Sequence, residues 1–91
     1  MPRVVITAQV EDTAKWEQMF RTRGDLLRST TSTVTHFATN DANEVVLYAE
    51  VTDLDEYFKV VQSAATAEAM DQDGVKRDTV KVFVLDKEFR Y

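Results

Sequence analysis

The stretch EVVLYAEV, Glu44–Val51, constrains the fold more than any other part of the chain. At period two, Val45, Leu47, Ala49 and Val51 fall on one side, and Val46, Tyr48 and Glu50 on the other. A strand with one wet face alternates apolar with polar, whereas this one is largely apolar on both. Both faces of its sheet therefore call for cover. The chain has only 91 residues to supply it. A single domain of that size buries about 60–65% of the surface its unfolded form exposes, so its own core is thin.

The rest of the sequence supplies partners for that strand. RVVITAQ (Arg3–Gln9) is rich in β-branched residues and reads as a strand. In the following segment Asp12 can cap a helix whose apolar positions Trp16, Met19, Phe20, Leu26 and Leu27 fit the 3.6 period, with Gly24 a weak point. STVTHFAT (Ser32–Thr39) and EVVLYAEV flank the turn-forming NDAN (Asn40–Asn43) and read as a hairpin. Asp53 opens a second helix with Glu56 as its capping-box partner and Leu54, Tyr57, Phe58 and Val61 as its stripe. An alanine-rich turn or short helix, AATAEAM, follows, and Gly74 is a plausible stop. TVKVFVL (Thr79–Leu85) is the last strand. The order β-α-β-β-α-β is the ferredoxin-like layout, one α+β domain over residues 1–91 with two helices on one face of a four-stranded antiparallel sheet.

Two helices cover one face of such a sheet. With NDAN as the whole turn, His36 lies opposite Leu47 and Thr35 opposite Tyr48. One face then holds Val34, His36, Ala38, Val45, Leu47 and Ala49; the other holds Thr33, Thr35, Phe37, Val46, Tyr48 and Glu50. On the last strand Phe83 and Leu85 oppose Val80, Val82 and Val84. A second face with Phe37, Val46, Tyr48 and Phe83 is too apolar to stay wet. Packing on its own copy about a two-fold axis would bury it, which predicts a homodimer through the sheet face.

Charge removes several functions. There are 16 acidic residues against 11 basic, a net charge of −5. Such a surface repels phosphate backbones and anionic membranes, so neither nucleic acid nor membrane is expected as a partner. An RNA-recognition domain shares the layout but needs a basic, aromatic, glycine-containing third strand, which EVVLYAEV is not. Without cysteine there are no disulfides or thiolate metal sites. MPRVVITAQV is too short and too β-like for a signal peptide, and no 18-residue apolar run occurs, so a soluble cytoplasmic protein is expected.

Three stretches resemble the dimeric α+β-barrel superfamily, in particular its small antibiotic-biosynthesis-monooxygenase-like proteins. VEDTAKWEQMF is similar to that group's acidic-x-x-K-W-x-x-x-F helix opening. NEVVLYAEVTDLDEYFKVVQS is similar to its strand, acidic cap and second helix, and AEAMDQDGV to the E-A-M-x-x-x-G-V run before its last strand. The resemblance implies two sheets packed face to face across a dimer, with a ligand cavity inside or at its mouth. It implies an organic, aromatic or polyketide-like ligand and cofactor-independent monooxygenase or cyclase-like chemistry. A non-catalytic binding or sensing module, or a structural dimer with a filled barrel, stays open beside it. Haem degraders of the superfamily carry an Asn on the first strand and a His on the second helix, and this chain has neither. Relatives also place Gly before the second strand, where STTST stands here, and His where Arg23 stands.

Few residues can carry chemistry. His36 is the single histidine, suited to a general base or a structural role, and excludes a multi-histidine metal site. Arg23, four residues after Met19, could bind a carboxylate or phenolate, or lay its stem along the core edge. Tyr48 could donate to a ligand, with Thr35, Phe37 and Phe83 as walls, or pack in a dimer core. Glu50 could act as a base or form a rim ion pair with Lys81. DQDG (Asp71–Gly74) lacks the further ligands of a calcium loop and reads as a solvated turn. No cofactor and no metal are expected.

Overall fold

Asp12 starts the first helix as its position suggests. In the computed structural model, which describes residues 2–23 and 32–90, its Oδ1 accepts the amides of Ala14 (2.9 Å) and Lys15 (3.4 Å). Such a cap contributes about 1 kcal/mol. Strand β1 (Arg3–Val10) precedes helix α1 (Thr13–Arg23); strands β2 (Ser32–Thr39) and β3 (Glu44–Val51) follow. The proposed helix positions Gly24, Leu26 and Leu27 lie outside the described residues, as do the side chains of Arg23, Ser32 and Thr33.

Helix α2 (Leu54–Val61) is capped by Asp53, whose carboxylate accepts the Glu56 amide at 3.1 Å, while the Glu56 carboxylate takes Lys59 at 3.0 Å. AATAEAM forms a helix of its own, α3 (Ala64–Gln72), because Ser63 caps it through the Thr66 amide. Gly74 ends it at φ +79°, a conformation that L side chains rarely adopt, and its carbonyl accepts the Glu11 amide at 2.9 Å. Strand β4 (Val75–Val84) starts four residues before the expected Thr79. Its pairing with β1 shifts between Thr7, opposite Lys81, and Gln9, opposite Lys76. The Thr79 hydroxyl bridges that bulge, accepting from the Gln9 amide (2.8 Å) and donating to the Lys76 carbonyl (2.6 Å).

The sheet order is β2-β3-β1-β4, every neighbouring pair antiparallel. This is the expected ferredoxin-like α+β layout, with α3 added to the two predicted helices. Val4, Ile6, Ala8 and Val10 of β1 join Val45, Leu47, Ala49 and Val51 of β3, and with Trp16 of α1 and Tyr57 of α2 they form the core. Burial raises the pKa of the Tyr57 phenol.

One expectation is overturned. Asn40 pairs with Glu44 (amide to carbonyl, 3.2 Å), so the hairpin loop is the three residues Asp41–Asn43 and not four. Asn43 adopts φ +56°, the left-handed residue that completes such a loop, and Asn40 Oδ1 accepts the amides of Ala42 and Glu44. His36 therefore lies opposite Tyr48, Phe37 opposite Leu47 and Thr35 opposite Ala49. A slip of one residue moves every β2 side chain to the other face. Phe37 sits with the helices, edge-on to Trp16 (5.7 Å between centroids) and Phe20 (5.2 Å), with the Arg21 guanidinium 5.1 Å from its ring centre.

Candidate functional site

The corrected register assembles the side of the sheet away from the helices. Three rows cross its four strands, each step about 4.8 Å. The central row is His36, Tyr48, Val5, Phe83. Towards the start of β1 runs Val34, Glu50, Arg3, with Leu85 beside Arg3 through an amide-to-carbonyl bond of 2.9 Å. Towards the hairpin runs Ala38, Val46, Thr7, Lys81.

This open face is rich in exposed apolar surface. Phe83 is 51% exposed, Leu85 48%, Val34 42% and Val46 36%. Val82 and Val84, on the helix side of β4, are also more than a third exposed, so the end of this edge strand is bare on both sides.

Among the predicted site residues, His36, Tyr48 and Phe83 share the central row and Glu50 lies beside it. The His36 and Tyr48 rings lie 5.9 Å apart, tilted by 49°. The Tyr48 hydroxyl donates to Glu50 Oε1 (3.4 Å), and the same oxygen lies 3.9 Å from Arg3 Nε. Arg3, in the same row as Glu50, is thus an ion-pair partner of that carboxylate, whereas Lys81 stands two rows away and the expected Glu50–Lys81 bridge does not form. Thr35 and Phe37 leave the open face with the register change and cannot wall a site there beside Tyr48. Arg23 closes α1, and its side chain lies outside the described residues. The expected DQDG turn is shorter than read: Asp71 and Gln72 end α3, only Asp73 and Gly74 turn, and Asp71 pairs with Arg77 at 3.0 Å. Among the described residues no three His, Cys, Asp or Glu side chains come together as a metal site, and no helix is long and apolar enough to cross a membrane.

Sequence reasoning missed a depression that opens at the hairpin end of the sheet. A groove of about 590 Å³ lies at the hairpin end, floored by Ala38, Val46, Thr7 and Gln9 and walled by Asp78 and Lys81. Asp78 and Thr79, which lie within the β4 bulge, are part of its lining. Its signal was the charged run KRD (Lys76–Asp78) interrupting an otherwise strand-like segment.

The element order, the strand order and an open face opposite the helices define a ferredoxin-like α+β domain. Solved structures agree. A candidate antibiotic biosynthesis monooxygenase from Bordetella bronchiseptica superposes with TM-score 0.73 at 14% identity, covering 97% of both chains. SnoaB, a cofactor-independent oxygenase from Streptomyces nogalater, gives 0.72 at 14% identity over 98% of this chain and 94% of its own. A candidate antibiotic biosynthesis monooxygenase from Deinococcus radiodurans gives 0.69 at 9% identity over 100% and 96%. The chain therefore shares the fold of these antibiotic-biosynthesis-monooxygenase-like structures. No protein-family model and no curated protein matches it.

Proposed function

We propose that a second copy of this chain closes the open face, and that the enclosed cavity binds an organic, aromatic ligand as a cofactor-independent monooxygenase. The observation that carries this is the central row, a histidine and two aromatic rings on a sheet face without helix cover. The likeness to SnoaB supports the oxygenase half. A substrate such as a polyphenol, once deprotonated, can itself reduce oxygen. The protein then needs a base, a dry pocket and a group that steadies the anion. His36 would take the proton, and the Tyr48 hydroxyl, now turned to Glu50, would reorient to the anion. The products are an oxygenated substrate and water, with both oxygen atoms of O₂ accounted for.

One observation favours a binding or sensing module instead. The contact described for His36 is the Tyr48 ring, whereas a catalytic imidazole is usually oriented by a hydrogen-bonded third group. Oxygen uptake with anthrone-type and hydroquinone substrates separates the two readings. Turnover that falls at least about ten-fold in His36→Ala supports the base. Turnover unchanged in both His36→Ala and Tyr48→Phe removes those roles, and ligand binding without turnover favours the module.

A further inference from the structure

The groove at the hairpin end carries a chemistry of its own. Its floor and wall follow one sheet row whose character changes in order: Ala38 on β2, Val46 on β3, the Thr7 hydroxyl on β1, then the Lys81 ammonium on β4. At strand spacing, the backbone positions of Ala38 and Lys81 are roughly 14 Å apart across the sheet. Several polar groups nearby are already committed. Thr79 is held by Gln9 and Lys76. Asn40 holds the Glu44 carboxylate through Nδ2 at 2.9 Å. Among the described residues, the Lys81 ammonium and the Thr7 and Gln9 side chains make no hydrogen bond or ion pair. Lys81 thus brings an exposed cation to the edge of a groove in a chain of net charge −5.

We infer that this groove binds a small monoanionic organic molecule, an aromatic carboxylate or an equivalent enolate, with its flat body over Ala38 and Val46 and its anionic head at Lys81 and Thr7. The volume, about 590 Å³, suits a one- or two-ring compound. The Thr7 hydroxyl and the Gln9 side-chain carboxamide add donors beside the ammonium, and a charge-assisted hydrogen bond is roughly twice as strong as a neutral one. Asp78 on the groove wall and Glu44, also lining it, repel a second negative charge, which selects against dianions. The inference deepens the reading of the open face as a cavity wall, because it names the class of ligand that wall takes.

The test compares 2-naphthoate with its neutral isostere 2-naphthamide, by calorimetry and by amide chemical shifts. The acid should bind at least about ten-fold more tightly than the amide, since the head contact is charge-assisted. Shifts should centre on Thr7, Gln9, Ala38 and Val46. Lys81→Met should abolish the preference, and Lys81→Arg should keep most of it. Added salt should weaken the acid and leave the amide unchanged in the native chain, a readout independent of any variant. Equal binding of acid and amide, failure of both to bind, a preference that survives Lys81→Met, or shifts centred on Phe83 and Tyr48 would overturn the inference. Light scattering on the same samples reports the second copy separately. A monomer that prefers the acid keeps this site and loses the closed cavity; a dimer that ignores the acid does the reverse.

Discussion

The two faces of the sheet are made from the same four strands and differ in composition and in exposure. On the helix side, Val4, Ile6, Ala8, Val45, Leu47, Ala49 and Val51 are uncharged, aliphatic and buried. On the open side, the same strands carry His36, Tyr48, Glu50, Arg3, Lys81 and Phe83, with polar, charged and aromatic groups interleaved. A face that only has to be dry is filled with whatever packs. A face that mixes an ion pair, an imidazole and exposed aromatic rings keeps groups that packing alone would not retain. The contrast predicts that substitutions on the helix side act on stability, whereas those on the open side act on assembly and ligands.

The largest effect is expected at Tyr57, which is 1% exposed between α2 and the sheet. Tyr57→Ala should cost about 3–5 kcal/mol in urea unfolding, a large part of what a small domain has. The same residue sets an alkaline limit. Burial raises its pKa above the ordinary value of about 10, so the folded state keeps a proton that the unfolded chain has lost. That contribution is whole below pH 10 and declines as pH rises through the folded value. Tyr57→Phe should flatten this decline in denaturant midpoints measured across pH 9–12. Next in size is Phe83→Glu on the open side. It should leave the folded monomer within about 0.5 kcal/mol. Because it sets a charge in the face assigned to a second copy, light scattering should find self-association at least about 100-fold weaker. A monomeric native chain, or an unchanged dimer in the variant, breaks the comparison at its open side.

A smaller effect tests why the faces are arranged as they are. Asn43 at φ +56° fixes the three-residue loop, so Asn43→Val should cost about 1–2 kcal/mol, and Asn43→Gly close to nothing. This residue also marks where the sequence stopped being legible. The strands, the caps at Asp12, Asp53 and Gly74, and the layer order followed from periodicity and local hydrogen bonding. The sorting of β3 into two faces also held. The face of β2 did not, because NDAN is compatible with a loop of three residues or of four, and only the backbone angle at its last residue decides. Parity then carried His36 to the open side and Thr35 and Phe37 to the helices. The groove was hidden for a related reason: the bulge between Lys76 and Lys81 inserts residues that period-two counting cannot follow, so Asp78 was not placed beside Thr7 and Gln9, although Lys81 was read on its correct face.

The smallest effect is the most discriminating. Arg3 and Glu50 are a loose pair, 3.9 Å apart, with side chains 60% and 33% exposed. In a monomer such a pair is worth about 0.2–1 kcal/mol and weakens with salt. A double-mutant cycle with Arg3→Met and Glu50→Gln, followed by urea unfolding, should return a coupling in that range in the Phe83→Glu background. The native background should differ if a second copy removes water from the face, because the same two charges then interact through a lower dielectric and leaving either one alone is costly. A coupling that rises to about 2 kcal/mol or more and loses its salt dependence supports a dry open face. Equal, salt-sensitive couplings in both backgrounds would mean that Tyr48, Glu50 and Arg3 stay in water, and that the open face differs from the helix face in composition without differing in burial.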